Sequence, residues 1–156
     1  MTATPTDAAA PRVRLRAVMR WVLAAFYSGA GIAHLWVPEK LLLITPAWVP
    51  FPREVILATG AFEIAVSIAL LSQTRLRWWA GIAMAFYALC VWPANFKHAI
   101  DGIAMPYIGN SWWYHGPRLA FQPVIIWSAL FSAQVIDWPI RASRVILRCK
   151  PAGDAT

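Results

Sequence analysis

The sequence predicts an all-α membrane protein: a bundle of four transmembrane helices, both termini cytoplasmic, with proline- and aromatic-rich loops on the outer side. Three observations predict it. Of 156 residues, 60% are hydrophobic and 13% charged, against about 45–50% and 25% in soluble domains; mean hydropathy is +0.53. The apolar residues gather into four runs, and the basic residues cluster at the ends of those runs. Such a balance argues against both a disordered chain and an ordinary water-soluble domain.

The spans are expected at about 21–37, 55–71, 78–96 and 119–136, each 17 to 19 residues long. A helix of that length covers roughly 26–29 Å, close to the ~30 Å hydrocarbon core, so little tilt is expected. Tryptophan is abundant, with 10 copies. Trp21, Trp36, Trp78, Trp79 and Trp138 flank the spans, where an indole can rest in lipid while its N–H reaches the headgroups.

The spans define a domain over 18–140. Residues 1–17, small, polar and basic, are expected to form a disordered tail, and 141–156 a second basic tail. A basic stretch before an apolar one also fits a cleaved signal, but the three later spans favour a retained helix. The 72–77 turn is short and polar, which makes the second and third spans antiparallel neighbours. The 38–54 connection carries Pro38, Pro46, Pro50 and Pro52 among apolar residues. Prolines forbid a continuous helix there, so it is expected to lie in the outer interface with a short helical turn at 39–44. The 97–117 connection, with Tyr107, Trp112, Trp113 and Tyr114, is expected to form a second part of the same cap.

Charge fixes the orientation. The net charge of +7 would suit nucleic acid on a soluble protein, but its distribution points to lipid headgroups instead. The N-terminal tail, the 72–77 turn and the C-terminal tail hold ten of the 14 basic residues; Lys40, Arg53, Lys97 and Arg118 lie on the other side. The positive-inside rule then puts both termini in the cytoplasm.

Polar residues within spans mark where chemistry could reside, because lipid tolerates them poorly. Glu63 lies about 12 Å into the membrane from the outer side at 1.5 Å per residue. Gly60, Glu63 and Ser67 share one helical face of small residues. An unpaired carboxyl held away from water favours its neutral form, which can donate a hydrogen bond or pass a proton. The plainer alternative is a Glu that ties the second span to a neighbour. His34, Asn95, His98, Arg118 and Gln122 fall at similar heights on the other three spans. Together these residues suggest a polar pocket in the outer half, beneath the aromatic loops. His34 alone would read as a histidine bonded to a backbone carbonyl; the convergence gives the pocket its weight. Pro93 and Pro123 are expected to kink their helices at this level and to free carbonyls. Ala25, Gly29 and Ala33 form a small-residue stripe expected to pack against another helix.

Metal and redox motifs give little. His34, His98 and His115 show no H-x-x-x-H or H-E-x-x-H spacing, so no metal site is expected and haem ligation has no helical pairing behind it. Cys90 lies mid-span and Cys149 in the cytoplasmic tail, too far apart for a dithiol. No catalytic triad or phosphate loop is present, and whether the chain is an enzyme stays open.

Several of these pieces occur together in one known family. Gly31 and His34 ending the first span, Pro46, Pro50 and Pro52 in the loop, Gly60 and Glu63 in the second span, Pro93, Ala94 and Asn95 in the third, and Arg118 and Gln122 opening the fourth resemble the DoxX family of small four-helix bacterial membrane proteins. The resemblance covers roughly residues 21–138. Lys97 and His98 depart from it, standing where many relatives are apolar. It implies an accessory subunit of a redox system, quinone- or thiol-linked. The expected partners are the lipid bilayer, a redox partner subunit and further copies of the chain, with no nucleic acid; a quinone is the cofactor considered. The alternative is a structural or chaperone-like membrane protein with no activity of its own.

Overall fold

The computed structural model describes residues 5–102 and 111–139, which form five α-helices and no strand. They are α1 (Pro5–Trp36), α2 (Pro38–Leu42), α3 (Pro52–Leu71), α4 (Thr74–Ile100) and α5 (Trp112–Ser132).

The expected disordered tail is corrected from Pro5 onward, because α1 begins there. Alanine is the strongest helix former, and Ala8, Ala9 and Ala10 precede a stretch whose arginines are held in place: Arg12 and Arg16 both reach the Asp137 carboxylate. Arg16 also lies over the Phe131 ring, 4.5 Å from its centroid. These contacts give the N-terminal turns tertiary support that composition does not reveal.

Proline starts two helices. Pro38 opens α2 and Pro52 opens α3, at positions where the missing N–H costs no helical bond. Phe51 precedes α3 with φ 47°, turning the chain sharply out of the loop. Between α3 and α4 the turn is only Ser72 and Gln73, shorter than the 72–77 expected. Helix α4 then runs unbroken through Pro93, extending beyond the expected end at 96 to Ile100. Helix α5 starts earlier than expected, with the Ser111 hydroxyl capping the Trp113 N–H at 3.3 Å. It ends at Ser132, short of the expected 136, where Gln134 takes φ 67°. Tyr107 in the second loop and the tail 141–156, with Arg141, Arg144, Arg148, Cys149 and Lys150, lie outside the described residues.

The four long helices pack side by side, α1 on α3, α3 on α4, α4 on α5, and α5 back on α1. Buried positions on α3 follow helical spacing: Ile56, Gly60, Glu63, Ser67 and Leu70. Leu23, Tyr27, Val66, Leu70, Met84 and Ala129 form the core. The closest approaches occur at glycines. A β-carbon on Gly31 would meet the Gly60 carbonyl at 2.7 Å, and one on Gly60 would meet that of Gly31 at 2.9 Å. At the α4–α5 contact, a β-carbon on Gly81 would meet the Ala133 Cβ. The stripe expected to pack does not: Ala25, Gly29 and Ala33 are exposed, and nothing lies within 4 Å of where a Gly29 β-carbon would stand.

Large apolar side chains cover the outer faces, among them Trp21, Trp36, Ile68, Phe86 and Phe121. Helices α3 and α4 are long and apolar enough to cross a membrane by length and composition. The other two expected spans are more polar toward their starts: Arg12, Arg14, Arg16 and Arg20 on α1, and His115, Arg118 and Gln122 on α5.

Charge separates the two ends of the helix assembly. One end gathers Arg12, Arg16, Arg20 and Arg77 around Asp137 and the carbonyls of Ser132 and Ser72. Burial, with Arg77 and Arg16 close by, pulls Arg20 below the ordinary guanidinium value. At the other end two cations are matched by acids: Arg53 with Glu39 at 3.0 Å and Lys97 with Asp101 at 3.2 Å. Lys97 also donates to the Leu43 carbonyl at 3.2 Å, fastening the α2 loop to α4.

Candidate functional site

The glycine contact between α1 and α3 decides where the first two polar residues fall. His34 and Glu63 each stand three residues after one of the paired glycines. Close backbone approach at Gly31 and Gly60 therefore sets the imidazole beside the carboxyl, with His34 Nδ1 3.1 Å from Glu63 Oε2.

The two groups interact without a full hydrogen bond. His34 Nδ1–H points at the Ala30 carbonyl at 2.8 Å, the contact expected of a lone histidine in a helix. The carboxyl therefore feels the imidazole electrostatically, while Glu63 Oε2, though buried, accepts no hydrogen bond from the described residues. The Tyr87 hydroxyl on α4 donates to the other oxygen, Oε1, at 2.8 Å. Tyr27 packs edge-on against Tyr87, 6.2 Å between ring centroids, and Ser67 donates to the Glu63 carbonyl at 2.7 Å. Glu63 is 3% exposed, so it is enclosed by α1, α3 and α4.

A second polar group forms between α4 and α5. Arg118 donates to Asn95 Oδ1 at 2.6 Å and to His98 Nδ1 at 2.8 Å. His98 Nδ1 accepts here, so that nitrogen carries no proton and the ring is neutral. His98 and His115 are both buried and stack edge-on at 4.8 Å. Gln122 accepts from the Asn95 amide over a long 3.4 Å and donates to the Ala88 carbonyl, in the stretch of α4 before Pro93.

Both groups border one cavity of about 510 Å³, within the range of small-molecule sites. His34, Glu63, Tyr87, Asn95, Arg118 and Gln122 line it, together with Phe26, Ile56, Phe121 and Ile125. The α2–α3 connection contributes Ile44, Thr45, Pro46, Trp48 and Val49, so the proline-rich loop borders the same space. Phe26 on α1 and Phe121 on α5 line the cavity and are also 58% and 59% exposed. One expected pocket residue differs in position: His98 does not line the cavity but stands behind Arg118. His115 and Tyr87 belong to the polar groups and were not among the expected pocket residues. His115 could have been found from its place one turn before Arg118. Tyr87 gave no such signal, since a lone tyrosine in an apolar run reads as an ordinary packed aromatic.

Among the described residues, no cluster of three His, Cys, Asp or Glu side chains is placed to hold a metal ion. Fold and site define an all-helical protein with two helices of membrane-crossing length and an internal, mainly apolar cavity with polar groups on its wall. The family is shown directly: a domain of unknown function, DUF8561, matches residues 23–133, and the chain belongs to it. No curated protein and no solved structure matches the chain.

Proposed function

We propose that the protein is a multi-pass inner-membrane protein of the DoxX type whose four long helices span the bilayer with both termini in the cytoplasm. Its cavity binds a small, quinone-like amphipathic molecule, and its role is that of an accessory subunit in a redox system. The apolar outer faces support the membrane setting, since exposed apolar surface on this scale is unfavourable in water. The six arginines at residues 12–20 and 72–77 support the orientation.

The observation that carries the binding reading is the Glu63 carboxyl on the cavity wall, one oxygen held by Tyr87 and the other buried without a donor. That donor set suits a quinone. Glu63 Oε2 can accept from a ligand hydroxyl, the Asn95 and Arg118 N–H groups can face a ligand carbonyl, and Phe26, Phe121 and Trp48 offer aromatic surface. A bound quinone would supply reversible electron and proton uptake. Tyr87 fixes the carboxyl against rotation, and His34 stands close enough to bias where its proton resides.

A second reading is favoured by the Gly31–Gly60 contact: the His34–Glu63 pair beside it acts to lock α1 onto α3, and the protein is structural or chaperone-like. Substituting Glu63→Gln separates the two. In the binding reading the variant keeps its expression and thermal stability in detergent but loses affinity for decylubiquinol. Failure to fold, with no binding by the unaltered protein, selects the packing reading.

A further inference from the structure

Among the described residues Arg118 is the one arginine or lysine on the cavity wall, and Glu63 the one carboxyl there. They do not pair. Glu63 accepts from Tyr87 and stands beside His34, whereas the acceptors of Arg118 are the neutral amide of Asn95 and the neutral Nδ1 of His98. Among the described residues no carboxylate lies within ion-pair distance of Arg118, whereas two other cations on the same end have their acids, Arg53 with Glu39 and Lys97 with Asp101. A guanidinium bordering an apolar space without a counter-charge is costly. Its planar fork also has more N–H donors than two acceptors occupy, and that fork matches the geometry of an oxyanion.

We infer that the cavity selects amphipathic ligands bearing an oxyanion, a carboxylate or a phosphate on an apolar body, and that Arg118 receives the oxyanion while Phe26, Ile56 and Phe121 face the apolar part. His98 and Asn95 hold the guanidinium in place, 5.8 Å from the centroid of the Tyr114 ring, and leave it without a counter-ion until the ligand arrives. This inference rests on the cavity being a ligand site and goes beyond the neutral quinone proposed above to a second, anionic class of ligand.

The test compares matched pairs at pH 8 in a nonionic detergent, following the rise in Tm with ligand concentration. Decanoate is set against methyl decanoate, and dodecyl phosphate against dodecanol; the first pair represents a free fatty acid and the second a phosphate headgroup. The expected result is an affinity about tenfold or more higher for the anionic member of at least one pair, and the pair that shows it identifies the source. Arg118→Gln is expected to bring that ratio close to one, and Arg118→Lys to restore part of it. Equal affinity for charged and neutral members overturns the inference and leaves the cavity reading intact. A preference that survives Arg118→Gln also overturns it, placing the anion on the arginines at the other end. Binding of neither kind, with no effect of decylubiquinol, removes the ligand site altogether. Should Arg118→Gln fail to fold, the acid–ester comparison on the unaltered protein still decides.

Discussion

The carbonyl of Gly31 stands 2.9 Å from where a β-carbon on Gly60 would be, and the carbonyl of Gly60 2.7 Å from the β-carbon position of Gly31. Each glycine makes room for the other's backbone, and the side chains three residues further on, His34 and Glu63, meet as a result. Gly31→Ala or Gly60→Ala must push α1 and α3 apart, at a cost of about 1–3 kcal/mol. Gly29→Ala, with open space around it, should be neutral or stabilise by about 0.5–1 kcal/mol through helix propensity. Thermal unfolding in detergent distinguishes them; equal effects at 29 and 31 would show that the contact does not matter.

Tyr87→Phe removes the donor to Glu63 Oε1 and leaves a buried carboxyl oxygen unsatisfied. The expected loss is about 1–3 kcal/mol. Combined with Glu63→Leu, which removes the acceptor of the same bond, the losses should be clearly less than additive. Additive losses would mean that Tyr87 and Glu63 act independently.

The Asp137 clasp should respond to acid. The hydrogen bond from Arg16, with the Arg12 charge beside it, holds the carboxyl below its usual value. A depressed carboxylate contributes stability above its unfolded-state value, about pH 3.9, and loses it as pH falls through the folded-state value. The N-terminal turns of α1 should therefore exchange amide hydrogens faster, relative to the α3 core, at pH 3 than at pH 7. Asp137→Asn should show fast exchange there at both. An unchanged pattern across that range would remove the clasp as the reason these turns are helical.

Orientation can be read in intact cells. With Cys90→Ser and Cys149→Ser, a Trp48→Cys variant should react with a membrane-impermeant maleimide and Gln73→Cys should not. Labelling at 73 but not 48 would invert the proposed topology.

The sequence made the polar residues conspicuous because an apolar run leaves few explanations for a Glu, an Asn or a Gln. Glu63, Asn95 and Gln122 could be picked out, and the structure sets them around one cavity. Which glycines meet was not legible: small residues recur on several faces of α1, and spacing alone cannot separate Gly31 from the exposed Ala25–Gly29–Ala33 stripe. The helical start of α1 was hidden for a different reason. Its support comes from Asp137, 121 residues beyond Arg16, and no local propensity reports a contact that distant. Tyr87 escaped because hydropathy does not distinguish a phenol that packs from one that also bonds a carboxyl.

Phe26 and Phe121, on neighbouring helices, each touch the cavity on one side and the surroundings on the other. In a bilayer those surroundings are acyl chains. A ligand soluble in lipid would reach the site sideways, from within the leaflet, without first dissolving in water. Its occupancy would then follow its concentration per unit of membrane, so that enlarging the lipid phase at a fixed amount of ligand would empty the site.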